Sequence, residues 1–132
     1  MAKESGIGMT LNVDGSDASA DTITDDVTNL SMSTTRNLQD VTGLADTTVE
    51  RLPLLADGSV TINGVFNDGL SHSTFRDVAT STVARTVAAA HSGQTLTEEI
   101  YFTDYALTRA QDGSLTWSAP GQLANSTSFG WS

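Results

Sequence analysis

Apolar and polar residues take turns along several short stretches of this chain, and that alternation restricts its fold more than any other feature. Ile7, Met9, Leu11 and Val13 alternate with Gly8, Thr10 and Asn12. A period of two sorts side chains onto the two faces of a β-strand, which a helical period does not do. Residues 27–35 repeat the pattern through Leu30, Met32 and Thr34, and residues 59–67 repeat it through Val60, Ile62 and Phe66, with Gly64 at a bulge. Residues 81–91 and 95–102 read as further strands joined by a Ser92-Gly93 turn. Residues 105–110 and 115–118 flank Gln111-Asp112-Gly113, and Asp-Gly between β-rich runs is a strong hairpin signal. The texture is mainly β, with no internal repeat.

Helical signals are few. Residues 70–79 read as one flanking α-helix, with Ser71 as its cap and Phe75, Val78 and Ala79 on one face. Residues 35–58 form a long connection. Within it Thr47 and Glu50 have the spacing of a capping box, and Pro53 limits any helix there to a turn or two. Residues 14–22 read as a polar, turn-rich loop. Beyond Pro120 the chain turns polar and small, and it ends in Phe129, Gly130, Trp131 and Ser132. The two ends therefore read as arms, 1–8 and 122–132, on one domain spanning 1–132. Phe129 and Trp131 either cover a neighbour or fold back onto their own domain.

Charge and composition remove several function classes. Sixteen acidic residues face six basic ones, a net charge of −10. Nucleic-acid binders draw affinity from Lys and Arg that displace counterions, and this chain has few to offer. With no cysteine there is no disulfide framework and no thiolate metal site. Residues 1–6 lack the apolar run of a secretory signal, and no stretch approaches a membrane span, so the sequence predicts a protein made and folded in a cytoplasm, without a membrane partner.

Catalytic signatures are weak. Only His72 and His91 could serve as a triad base, and both read as exposed polar residues at element ends. No nucleophile elbow and no phosphate-binding glycine loop is present. Asp14, Asp17, Asp21, Asp25 and Asp26 crowd one stretch without EF-hand spacing, which favours a solvated loop over a calcium site. Paired carboxylates of a glycosidase kind would want a richer aromatic platform than two Trp and two Tyr. The sequence thus predicts no enzyme, cofactor or metal.

Several runs, in order along the chain, resemble the tail tube proteins (major tail proteins) of siphophages, particularly those of actinobacteriophages. They are DDVTNL at 25–30, QDVTGL at 39–44, VERL at 49–52, LADGSVTINGVFN at 55–67, VARTV at 83–87, TDYALTR at 103–109 and GSLTWSAPG at 113–121. The resemblance implies a sandwich- or barrel-like tail tube fold with one flanking α-helix and a long loop. It also implies homohexameric rings stacked into a hollow tube in the virion, assembled in the host bacterial cytoplasm. Such a tube encloses a tape-measure protein, meets tail terminator and distal tail proteins, and conducts DNA without binding it specifically. The acidic balance suits such a lumen, because fixed negative charge repels phosphates. The 35–58 connection is the candidate inter-ring contact, through Leu44, Val49, Leu52, Leu54 and Leu55, unless it closes the end of its own sandwich. Phe129 and Trp131 are further candidate contacts. Competing readings are a tail terminator or capsid decoration protein, a β-sandwich binding module and a small acidic-site hydrolase.

Overall fold

The computed structural model describes residues 5–15 and 20–132, apart from the side chains of residues 20, 70 and 126–128. It is mainly β. Eight strands form one antiparallel sheet: β1 (Thr10–Asp14), β2 (Ala20–Thr22), β3 (Val27–Asp40), β4 (Arg51–Val65), β5 (Arg85–His91), β6 (Gln94–Phe102), β7 (Ala106–Arg109) and β8 (Leu115–Trp131). Their order is β2-β1-β5-β6-β8-β4-β3, and β7 continues beside β8 where β6 leaves it. The one α-helix among the described residues, α1 (Leu70–Phe75), is short and links β4 to β5.

The sheet curls about its inward residues without closing into a barrel. Leu11 and Val13 of β1, Val60 and Ile62 of β4, Val87 and Ala89 of β5, Ile100 and Phe102 of β6, and Trp117 and Ala119 of β8 are all buried in one core. Each set follows the two-residue period that the sequence displays. The two ends of the sheet approach through side chains: the Leu11 amide donates to Thr24 Oγ1 at 2.9 Å, and Met9 packs with Val27, Leu30 and Met32 around the same core. Phe75 of α1 caps the core, with its ring 5.1 Å from Phe102 and 5.2 Å from Trp117.

Gly64 shows why the sheet bends where it does. A β-carbon there would sit 2.2 Å from the Asp26 carbonyl oxygen and 2.6 Å from the Trp117 ring. The bulge lies across from it on β3, where Val27 and Asn29 pair with Gly64 and Asn63 and leave Thr28 as the extra residue. Gly64→Ala should cost about 1–3 kcal/mol, because the clash is with backbone and a packed indole. Equilibrium urea unfolding measures it, and a loss under about 0.5 kcal/mol would show that the close approach is relaxed in solution.

Several expectations change. The predicted helix over 70–79 ends at Phe75; turns follow through Thr80, with the Asp77 carbonyl accepting from the Thr80 and Ser81 amides. Val78 and Thr80 are β-branched and poor continuations of a helix. Gly69, not Ser71, is the N-cap, and Ser71 is buried. The 35–58 connection is not a loop, holds no helix and does not close the end of the sheet; it is the distal half of the β3–β4 hairpin. Its Glu50 amide donates to Thr42 Oγ1 at 2.8 Å and its Val41 amide to the Glu50 carbonyl at 3.0 Å, so the Glu50 backbone is spent across a hairpin rather than at a helix start. Residues 122–131 are not a free arm but the end of β8, paired with β6. Of the 1–8 arm, residues 1–4 lie outside the described residues, as do 16–19 and with them Asp17 in the expected 14–22 loop. Asp14 and residues 20–22 of that loop lie in β1 and β2.

Candidate functional site

The hairpin projects because β4 gains its second neighbour only at Ser59, opposite Gln122 of β8. Residues 51–58 pair with β3 alone, a two-stranded ribbon extending roughly 20 Å from the body at 3.3 Å per residue. Two-stranded ribbons are marginal by themselves, and this one is tied at its tip by short polar bonds. The Gly43 amide donates to Asp46 Oδ2 at 2.6 Å, and the Thr42 amide to Asp40 Oδ1 at 2.9 Å. The Thr42 bonds hold the Asp40 carboxyl below its ordinary value. Pro53 falls at a register shift, where Leu54 and Leu55 together oppose Asn37, a place where its missing N–H breaks no ladder.

The arm is apolar and bare. Leu38, Val41, Leu44, Val49, Leu52, Leu54 and Leu55 are seven of the thirteen exposed large hydrophobic residues among the described ones, and Leu44 is wholly exposed. That concentration of exposed apolar side chains makes the arm the candidate contact surface. The five arm residues singled out in the sequence are all in this set. Leu38 and Val41 were missed, although Leu38 continues the parity of Leu30 and Met32. Of the other candidates, Phe129 is half-buried and folds against its own domain, whereas Trp131 is 61% exposed. Trp131 borders a cavity of about 160 Å³ lined by Met9, Leu30, Met32, Ala89 and Leu96.

The outward face of the sheet is different in kind. Alternation with the core residues puts Asn12 and Asp14 of β1, Thr86 of β5, Thr97 and Glu99 of β6, Ser118 and Gln122 of β8, and Ser59, Thr61 and Asn63 of β4 on that face. These side chains are polar and the charged ones among them are acidic; Val65 and Tyr101 are large apolar residues exposed on the same parity. Thr86 Oγ1 donates to Glu99 Oε1. Burial pushes the Asp14 carboxyl up, Glu99 and Asp21 add to the push, and hydrogen bonds from Thr86 oppose it.

The residues weighed for catalysis are scattered. His72 is half-buried, contrary to expectation; its Nδ1 lies 3.3 Å from the Tyr105 hydroxyl and its ring packs on Phe66. His91 ends β5 opposite Gln94. Asp21 accepts from Thr74 Oγ1 at 2.9 Å and Asp26 from Asn67 Nδ2 at 3.1 Å, so the acidic stretch is partly spent on structure. Asp25 and Asp26 do line an open depression with Asn67 and Asp68. Among the described residues no three His, Asp or Glu side chains are placed to hold a metal ion, and no helix is long and apolar enough to cross a membrane.

No protein-family model and no curated protein sequence matches the chain. Solved structures do. A chain in the virion of a native gene transfer agent particle superposes with a TM-score of 0.80 at 16% identity, over 96% of this chain and 98% of that one. A chain in the tail of the empty gene transfer agent particle, refined helically with C6 symmetry, gives 0.79 at 17% identity over the same shares. A chain of the six-fold symmetrised baseplate of an anti-feeding prophage gives 0.63 at 10% identity over 95% of each. At these identities the likeness is one of fold. It covers nearly the whole of each chain.

Proposed function

We propose that this chain is a structural, non-catalytic subunit of a phage-type tail tube: homohexameric rings stack into a hollow cylinder within the virion. The observation that carries the reading is the end-to-end fold likeness to a chain from a C6-symmetric tail, at matching length. The bare apolar arm supports it, since a chain that exposes seven large hydrophobic residues on a ribbon needs something to cover them. In this reading the covering surface is the adjacent ring. The open sheet edges at β2 and β3 support it too, because edge pairing between subunits around a closed ring removes edges that otherwise invite aggregation. The outward face bearing Asp14 and Glu99 lines the lumen, where it repels the phosphates of passing DNA. The tape-measure protein occupies that lumen during assembly, and terminator and distal tail proteins close the ends.

Leu44→Asp tests the arm's role. Leu44 is fully exposed, so the variant should fold with wild-type stability to within about 0.5 kcal/mol. A charge at the stacking contact should abolish sedimentable polymer while the wild-type chain polymerises. Wild-type-length tubes from the variant would remove the arm from the stacking interface. A second reading, a ring component that does not polymerise, is favoured by the likeness to the six-fold baseplate chain. Growth beyond one ring separates the two.

A further inference from the structure

Glu98 has no part in the arm or the outward face, and it is the strangest residue in the core. Its side chain is fully buried, and neither carboxyl oxygen has a hydrogen-bond partner. It lies on the inward parity of β6 between Leu96 and Ile100, with Val87 of β5 on one side and Phe129 of β8 on the other. Across the interior stands Gly58, at the base of the arm. A β-carbon there would meet Glu98 Oε1 at 2.7 Å, Phe129 Cε1 at 2.8 Å and the Ser33 carbonyl oxygen at 3.1 Å. One bare backbone position therefore makes room for the carboxyl and the aromatic ring together.

Among the described residues no cation answers this carboxyl. Arg85 shares the inward face of β5, but it donates to the Thr74 carbonyl and pairs with Asp77 at 2.7 Å. His91 is the other titratable group of that parity on β5. On β4 the nearby charge is Asp57, of the same sign. On β3 the nearest cation in register is Arg36, two residues beyond Thr34, which pairs with Gly58. β8 carries no titratable side chain, and Asp14 and Glu99 lie on the opposite face of the sheet. A buried, unpaired carboxylate is strongly disfavoured, so Glu98 is either neutral or exposed.

We propose that Glu98 is a proton-operated latch: its neutral carboxyl seats the C-terminal stretch of residues 129–132 and the base of the arm against β6, and its ionisation releases that stretch. The C-terminal stretch is the part least costly to detach. Phe129, Gly130 and Trp131 pair with β6 alone, through Glu98, Thr97 and Leu96. They are cut off from the rest of β8 by the jump from Asn125 to Phe129 opposite consecutive residues of β6. Gly130 takes a φ of 130°, and the chain ends with the Ser132 amide donating to the Thr95 carbonyl at 2.9 Å. Short ladders set off by such a jump open at low free energy. Burial, with the charge of Asp57 adding to it, raises the Glu98 carboxyl from 4.5 to about 7. The closed form holds its proton more tightly than the open one. Its advantage is therefore complete below the ordinary carboxylate range, is lost as pH rises through about 7, and changes little above that. The latch does not depend on the tube reading; within that reading it frees Phe129 and Trp131 for a neighbouring copy.

Hydrogen exchange of the full chain, read by mass spectrometry from pH 5.5 to 8.5 and corrected for intrinsic rates, tests it. Protection of residues 129–132 should fall at least about tenfold between pH 6 and 8. Glu98→Gln, neutral at every pH, should hold protection constant, and Glu99→Gln on the opposite face should follow the wild type. A flat wild-type profile overturns the proposal, as does pH dependence that survives in Glu98→Gln, which assigns it elsewhere, His91 included. Carbon-13 titration of the wild-type Glu98 carboxyl supplies an arm independent of any variant's folding. An ordinary carboxylate value there overturns the proposal equally.

Discussion

Trp117→Ala should remove most of the chain's margin of stability, about 4 kcal/mol, and lower the thermal midpoint by roughly 12 °C. Trp117 is 2% exposed on the inward face of β8. Its ring lies 5.2 Å from Phe75 and 5.9 Å from Tyr105, and its Nε1 donates to the Val65 carbonyl at 3.0 Å. Truncation leaves a cavity beneath α1, strips that carbonyl of its donor and removes the surface on which Gly64 rests. The sheet cannot refill the space, because the Gly64 backbone is held by its own ladders on both sides. Trp117→Phe keeps the aromatic body but loses the donor, and should recover more than half of the loss. Far-ultraviolet circular dichroism during heating and urea titration measures both. A loss under about 1 kcal/mol for the alanine variant would show that the indole does not organise this core.

Arg85→Met should cost about 3 kcal/mol, the penalty of breaking a buried charged pair from one side. Arg85 is 2% exposed; one guanidinium nitrogen pairs with Asp77 at 2.7 Å and the other donates to the Thr74 carbonyl. These contacts fasten the turn after α1 to the first residue of β5, and so hold the helix over the core. Methionine fills the volume but leaves both acceptors without this donor. Asp77 is about one-third exposed, and water compensates it in part. Arg85→Lys keeps the charge and should lose less, though it cannot fork between two acceptors. Chemical unfolding at neutral pH separates the three proteins. Equal stability of Arg85→Met and wild type would remove the pair from the structural account.

The fold was legible wherever a strand has one buried and one wetted face. β1, β5 and β6 follow the alternation, because each carries core side chains at every second residue, and the β7–β8 hairpin is legible from its Asp112-Gly113 turn. β8 was cut short at Ser118 because its next inward positions are Ala119 and Gly121, too small to register as apolar. Gly121 is small for a reason, since a β-carbon there would meet Ile100 at 2.3 Å. The arm was missed as a hairpin because neither of its faces is buried, so nothing imposes a period on it. Its leucines were legible as surface in want of a cover, but not as two strands. Glu98 could have been found: the series Leu96, Glu98, Ile100, Phe102 places one carboxylate among inward residues. Its lack of a partner depends on the neighbouring strands, which no single stretch of sequence displays.

The central claim is that copies of this chain build an open-ended tube, and negative-stain electron microscopy of the purified protein over rising concentration tests it most directly. The account predicts hollow tubes of uniform width with six-fold end views, lengthening with concentration. Particles that stop at one closed ring, or a chain that stays monomeric throughout, would contradict it.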